Sequence, residues 1–331
     1  MLQECLRVLN LSNASLRKAT LRFTVLTMLL ISSISGANAQ YYFFQELEQL
    51  VDPTAIKHTI NVNGAERVYW VHRPYGVNCQ RQPTPLVILF HGGGGHASAI
   101  ANKTHMSDVS DNNGFIAVYP QAKDSHWDDG RVVPNRPSGD DIAFVKALIA
   151  RMEQEHYIDQ KRIYVAGFSD GGWFAQRLTY EMHNTIAAAA MVASLQLTQT
   201  VTTYGPGHQP LPVVYMLGTN DPRMHWFGGP VHGGAVLSAG ATINAWVKAN
   251  GASPTPTVTQ LPNTHPHDGC TVQLNYYSGA GGNDVAFYQI TGGGHSWPGG
   301  TKSPASEGNT DEDLRGSHEI WQFFAAHPKR I

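Results

Sequence analysis

Along most of the chain, short apolar runs alternate with stretches of helical periodicity. Leu86–Phe90 and Phe115–Tyr119 are continuously apolar, as strands buried on both faces are. Arg67–Val71, Arg162–Ala166, Ile186–Ala193, Val213–Leu217 and Val285–Ile290 read as further strands. Between them, Asp141 to His156 places Ile142, Val145, Leu148, Ile149 and Met152 on one face of a helix, with Asp140 as its expected N-cap. Gly171–Met182, Ala235–Ala249 and Asp311–Ala326 are the other expected helices. Strands alternating with helices predict an α/β fold, a mostly parallel sheet with helices on both faces. Ligands of such sheets bind at the carboxyl ends of the strands, so the residues just after each apolar run are the ones to inspect.

The first 39 residues stand outside this pattern. Arg7, Arg17, Lys18 and Arg22 form a basic leader, Phe23 to Ile34 is largely apolar, and the run ends at Ala37-Asn38-Ala39. That order predicts a cleaved signal peptide over 1–39 and a secreted protein, extracellular or periplasmic, rather than a membrane-anchored one. Residues 40–331 are then expected to form a single catalytic domain. The whole chain has 331 residues, 15% of them charged, with 23 basic and 25 acidic side chains. Without residues 1–39 the balance is 19 to 24, a net charge of -5, which argues against nucleic acid as a partner. Two cysteines remain, Cys79 and Cys270. Export would permit a disulfide between them, but spacing alone does not decide whether they meet.

Four strand ends carry chemistry. After the Arg162–Ala166 strand comes Gly167-Phe168-Ser169-Asp170-Gly171-Gly172, a G-x-S-x-G turn between strand and helix. Such a turn lifts a serine hydroxyl above the sheet and leaves no room for flanking side chains. Ser169 is the candidate nucleophile. A serine needs a base, and His295 lies in a glycine-rich loop directly after the Val285–Ile290 strand. Asp221, after the Val213–Leu217 strand, is the candidate acid that orients the imidazole; Asp268 and Asp284 are less suitably placed. His91-Gly-Gly-Gly-Gly95 follows Leu86–Phe90 and is expected to present an oxyanion donor, the Gly93 N–H, alongside that of Asp170. His91 itself reads as a brace for that loop.

Weaker signals are Trp127 and Trp297, expected to line a substrate pocket, with Trp226 beside them. His265, His267 and Cys270 have ligand chemistry, but no fourth ligand at motif spacing, so neither a metal nor a cofactor is expected.

Taken together, Pro85–Gly95, Asp140–Val145, Arg162–Gly172, Leu217–Asp221 and Gly292–Gly299 resemble the secreted polyhydroxybutyrate depolymerase-like esterases. That branch of the α/β-hydrolases is similar to feruloyl and acetylxylan esterases. The resemblance implies the α/β-hydrolase fold and Ser169, Asp221 and His295 as a serine esterase triad. It implies a hydroxyalkanoate oligomer or polymer, or a feruloyl or acetyl sugar ester, as substrate. Gly93 stands where polymer-degrading members are expected to carry cysteine, and residues 40–331 read as a catalytic segment without the linker and polymer-binding domain expected of those members. Both departures shift the expectation toward small or oligomeric esters. A prolyl-oligopeptidase-like peptidase and a non-catalytic binding protein are the rival readings. The chain has no room for the large propeller of the first, and the intact triad set speaks against the second.

Overall fold

A computed structural model describes residues 54–133, 140–204 and 209–330. The expected signal peptide lies outside them. Among the described residues, twelve strands and seven α-helices follow in chain order: β1 Ile56–Val62, β2 Ala65–His72, β3 Thr84–Phe90, α1 Ala97–Thr104, α2 Met106–Asn113, β4 Ile116–Pro120, α3 Asp141–Glu155, β5 Ile158–Phe168, α4 Asp170–Glu181, β6 Ala188–Val192, α5 Thr198–Tyr204, β7 Val213–Gly218, β8 Gly229–Val231, β9 Gly234–Val236, α6 Ala239–Ala249, β10 Thr257–Gln260, β11 Thr271–Tyr277, β12 Val285–Thr291 and α7 Gly316–Ala326.

Ten strands form one sheet in the order β1-β2-β4-β3-β5-β6-β7-β12-β11-β10. The pairings from β4 through β12 are parallel, and the outer pairs at either end are antiparallel. Alternation along β3 sorts the core into two layers. Leu86, Ile88 and Phe90 pack with Phe144 of α3, Phe174 of α4 and Trp246 of α6. Val87 and Leu89 pack with Ile100 of α1, Met106 of α2 and Trp321 of α7 on the other face. Strands covered on both sides have no solvent face, which is why β3, β4, β6 and β7 are buried throughout and almost wholly apolar.

Cys79 and Cys270 are both buried and free, and they belong to opposite layers of the core. The sheet stands between them, so the disulfide alternative is not realised.

Several boundaries differ from the sequence reading. The helix expected from Ala235 starts at Ala239, because Gly234–Val236 pairs with Gly229–Val231 as a hairpin. Ser238 then caps α6, accepting the Ala241 N–H at 3.2 Å. The last helix starts at Gly316 rather than Asp311. Asp311 instead makes a turn, its carboxylate accepting the Leu314 N–H and its carbonyl the Gly299 N–H, both at 2.8 Å. Asp140 precedes α3, but its side chain does not cap the helix; it accepts from the Asn63 amide instead.

Candidate active site

The parallel strands β3, β5, β7 and β12 all end at one edge of the sheet, and each delivers one of the predicted groups there. Ser169 follows β5 with φ 55° and ψ −120°, a conformation that an L-residue adopts only under constraint. The constraint is crowding. A Cβ on Gly167 would sit 2.0 Å from the Gly171 carbonyl oxygen, and one on Gly171 would sit 2.4 Å from that of Phe90. Only glycine lets β5, α4 and β3 approach this closely. The Ser169 N–H is tied to the Val192 carbonyl at the end of β6, 3.0 Å away.

His295 comes from the loop after β12, its own N–H donated to the Glu307 carbonyl at 2.6 Å. Its Nδ1 lies 2.8 Å from Asp221 Oδ2. Asp221 is held from its other oxygen, which accepts the backbone N–H groups of Arg223 and Met224, each at 2.8 Å. Ser169, Asp221 and His295 are all buried. Ser169 and His295 line one cavity of about 460 Å³, together with Gly92, Gly93 and Asp170. A larger cavity, about 600 Å³, opens beside β2 around His72 and Asp111, away from these strand ends.

The glycine loop after β3 is braced as the sequence suggested. His91 Nε2 accepts the Ala122 N–H at 3.1 Å, and its Nδ1–H donates to the Gly92 carbonyl at 2.8 Å. Those two bonds fix a neutral tautomer. Burial drives the His91 pKa down to about 4, so the ring stays uncharged. The Gly94 and Gly95 N–H groups are occupied by the Ser125 and Gly92 carbonyls, at 2.9 and 3.0 Å.

Trp127 and Trp297 require a correction. Both are fully buried and neither lines the cavity. Trp127 lies behind the glycine loop, donating to the His91 carbonyl at 2.8 Å and stacking on Phe174. Trp297 donates to Ser317 Oγ at 3.0 Å, joining the His295 loop to α7. Trp226 stacks on Phe287 outside the cavity wall. The aromatic wall is made by Phe168 and Trp173 instead. Trp173 sits four residues beyond Ser169, one helical turn along α4, so helix spacing could have found it.

Charged residues of the wall carried no motif. Arg131, in the loop after β4, grips Asp129 with two nitrogens, at 3.0 and 2.6 Å, and reaches Asp170 Oδ2 at 3.0 Å. His126 approaches the same oxygen at 3.3 Å. Arg223 pairs with Glu307 at the rim, and that hydrogen bond holds the Glu307 carboxyl below its usual range despite partial burial. Lys103 completes the wall.

The histidines of the Thr264–Cys270 loop are not brought to Cys270. His265 bonds to Asp313, and the side chains within ligand distance of Cys270 are Asp268 and Asp311. Asp284, the other discarded acid, is taken up by Tyr276 and His327 at the opposite end of β12.

Comparison with known proteins agrees with this architecture. Residues 68–204 match the family described as Esterase PHB depolymerase, a segment that includes the glycine loop and the Ser169 turn. The chain is 28% identical over 284 residues to the "Putative esterase NocK" of Nocardia uniformis subsp. tsuyamanensis, covering 81% of this chain and 82% of that protein. It is 30% identical over 220 residues to "Feruloyl esterase B" of Piromyces equi, covering 64% of this chain but 39% of the relative. The solved acetyl xylan esterase from Aspergillus awamori superposes with a TM-score of 0.55 at 14% identity, covering 82% of this chain and 99% of that one, a likeness of fold. Among the described residues no helix is long and apolar enough to cross a membrane. Residues 68–204 thus match the Esterase PHB depolymerase family model, the fold is that of the α/β-hydrolases, and the chain is a carboxylic ester hydrolase.

Proposed function

We propose that this protein is a serine esterase working through Ser169, His295 and Asp221 and a covalent acyl-enzyme. The observation that carries the reading is the strained Ser169 turn facing the same cavity as a histidine already bonded to a buried aspartate. With Nδ1–H donated to Asp221, the imidazole has Nε2 left to take a proton. In acylation, Ser169 Oγ bonds to the ester carbonyl carbon and its proton passes to His295. The carbonyl C=O bond opens to an oxyanion. As that intermediate collapses, the C–O bond to the alcohol breaks and His295 returns the proton to the departing oxygen. Water then repeats the sequence, releasing the acid and freeing Ser169.

The oxyanion falls to backbone N–H groups at Gly93 and Asp170. Two observations support that assignment: both residues line the cavity, and the Gly94 and Gly95 amides already have partners. The substrate class we propose is a small or oligomeric ester, either of a hydroxyalkanoate or of a feruloylated or acetylated sugar. A cavity of about 460 Å³ accommodates a few monomer units. Residues 40–331 form the catalytic domain in this reading, exported by the 1–39 segment.

A fluorophosphonate probe should label wild-type protein on Ser169 and leave Ser169→Ala unlabelled. The same variant should lose nearly all p-nitrophenyl butyrate hydrolysis. Wild-type turnover in Ser169→Ala would remove the nucleophile assignment.

A further inference from the structure

Three cations border the cavity, and two of them are already neutralised. Arg131 is held between Asp129 and Asp170, and Arg223 faces Glu307. Lys103, in the last turn of α1, differs. Its Nζ donates to Ser303 Oγ at 3.1 Å and lies 5.3 Å from the centre of the Phe168 ring. No carboxylate among the described residues is in ion-pair contact with it. An ammonium has three donors, and here one neutral hydroxyl takes one of them. The group is half-buried, and burial lowers its pKa while the more distant Glu307 charge raises it. A partly desolvated cation with spare donors, on the wall of a catalytic cavity, is a site for an anion.

Its position says which part of the substrate would carry that anion. Ser303 Oγ, the partner of Lys103, donates to the His295 carbonyl at 3.4 Å. Phe168, under the ammonium, packs 4.9 Å from the His295 ring. Lys103 therefore stands on the His295 side of the cavity. The imidazole that protonates the departing oxygen must have the alcohol beside it, so the leaving group is the part nearest Lys103.

We propose that Lys103 binds a carboxylate carried by the leaving alcohol, so that the preferred substrates are esters in which a hydroxyacid with a free carboxylate is the alcohol. This rests on the Ser169–His295 reading above. It separates soluble hydroxyacid oligomers cleaved at their acid end from neutral sugar esters and from the interior of a polyester, where no such charge exists.

The test compares the 3-hydroxybutyrate dimer as its free acid with the same dimer as its methyl ester, at pH 7.5. The bond between the two hydroxybutyrate units is the same in both; its cleavage yields two 3-hydroxybutyrates from the acid, and one 3-hydroxybutyrate with one methyl 3-hydroxybutyrate from the methyl ester, and rates are counted per bond cleaved. The free acid should show a kcat/KM about tenfold above the methyl ester, the scale of one charge-assisted hydrogen bond in a half-buried site. Added salt should narrow the ratio. Lys103→Met should bring it to about one, and Lys103→Arg should keep it in favour of the acid. A wild-type enzyme that cleaves the acid no faster than the methyl ester, or not at all, overturns the proposal. So does a Lys103→Met variant that keeps the wild-type ratio. Failure of the underlying mechanism looks different: Ser169→Ala would then remain active on the methyl ester.

Discussion

His91 makes the stability of the catalytic loop depend on pH, and the size of the dependence follows from its surroundings. In the folded protein the ring is sealed beneath the glycine loop, accepts the Ala122 N–H, and has its pKa depressed from 6.5 to about 4. In the unfolded chain the same imidazole titrates near 6.5. Between those two values the unfolded chain binds a proton that the folded protein does not. Stability from this group is therefore fully present above pH 6.5 and falls as the pH drops toward 4. At about 1.4 kcal/mol per pH unit, acidification from pH 7 to pH 5 removes roughly 2 kcal/mol through His91 alone.

Replacing His91 with glutamine isolates this effect. A glutamine carbonyl accepts the Ala122 N–H, its amide donates to Gly92, and it does not titrate. Any fixed packing loss applies equally at both pH values. Urea unfolding of wild type and His91→Gln at pH 7 and pH 5 gives four free energies. The wild-type drop between the two pH values should exceed the variant's by about 2 kcal/mol. Equal drops, or a larger one in the variant, would show that His91 takes up its proton in the folded protein without opening the loop, and the reasoning would fail.

Two further outcomes concern the site itself. Asp221→Asn preserves the shape of the contact with His295 but no longer demands the Nδ1–H tautomer, so kcat on p-nitrophenyl esters should fall by about 10⁴ while the unfolding midpoint hardly moves. Gly93→Ala places a Cβ 2.2 Å from Asp170 Oδ2, which Arg131 and His126 hold in place. Steady-state kinetics should show kcat reduced at least about tenfold from a displaced oxyanion donor. Wild-type turnover in that variant would mean the loop has slack that the packing denies.

The legible parts of the chain were those where one physical requirement allows few residue types. Central parallel strands must be apolar on both faces, so β3 through β7 and β12 could be placed within a few residues. The nucleophile turn admits only glycine at 167 and 171, because backbone oxygens stand where a Cβ would go. The parallel topology then brings Asp221 and His295 to the same edge, which is how residues 169, 221 and 295 could be grouped without a structure. Illegible were the elements with weak periodicity. Helices α1 and α2 have eight residues each, and β1 and β10 are exposed edge strands with no run of apolar positions. Ala235 and Val236, the end of the second hairpin strand, looked like the start of a helix because Val236 packs into the same core as α6.

The tryptophans show why proximity in sequence to a candidate catalytic residue is a poor guide to what lines the cavity. Trp297 follows His295 by two, yet successive side chains after a strand end diverge, and this one turns into the layer under the sheet to meet Ser317. Trp127 enters the opposite layer, where its indole N–H completes the bonding of the His91 carbonyl. Both are tools for fixing loops: a large buried ring with one polar atom anchors a loop in position and orientation at once. The wall of the cavity is built instead from residues scattered through the chain, Lys103 from α1, Arg131 from the loop after β4, Trp173 from α4 and Arg223 from the turn after β7. None has a spacing relation to the others, because they are joined only by the closing of the sheet. The proposed catalytic groups are thus specified locally, turn by turn, whereas the charge and shape of the cavity belong to the tertiary structure. Specificity in this fold has to be sought among wall residues such as Lys103 rather than in the motifs.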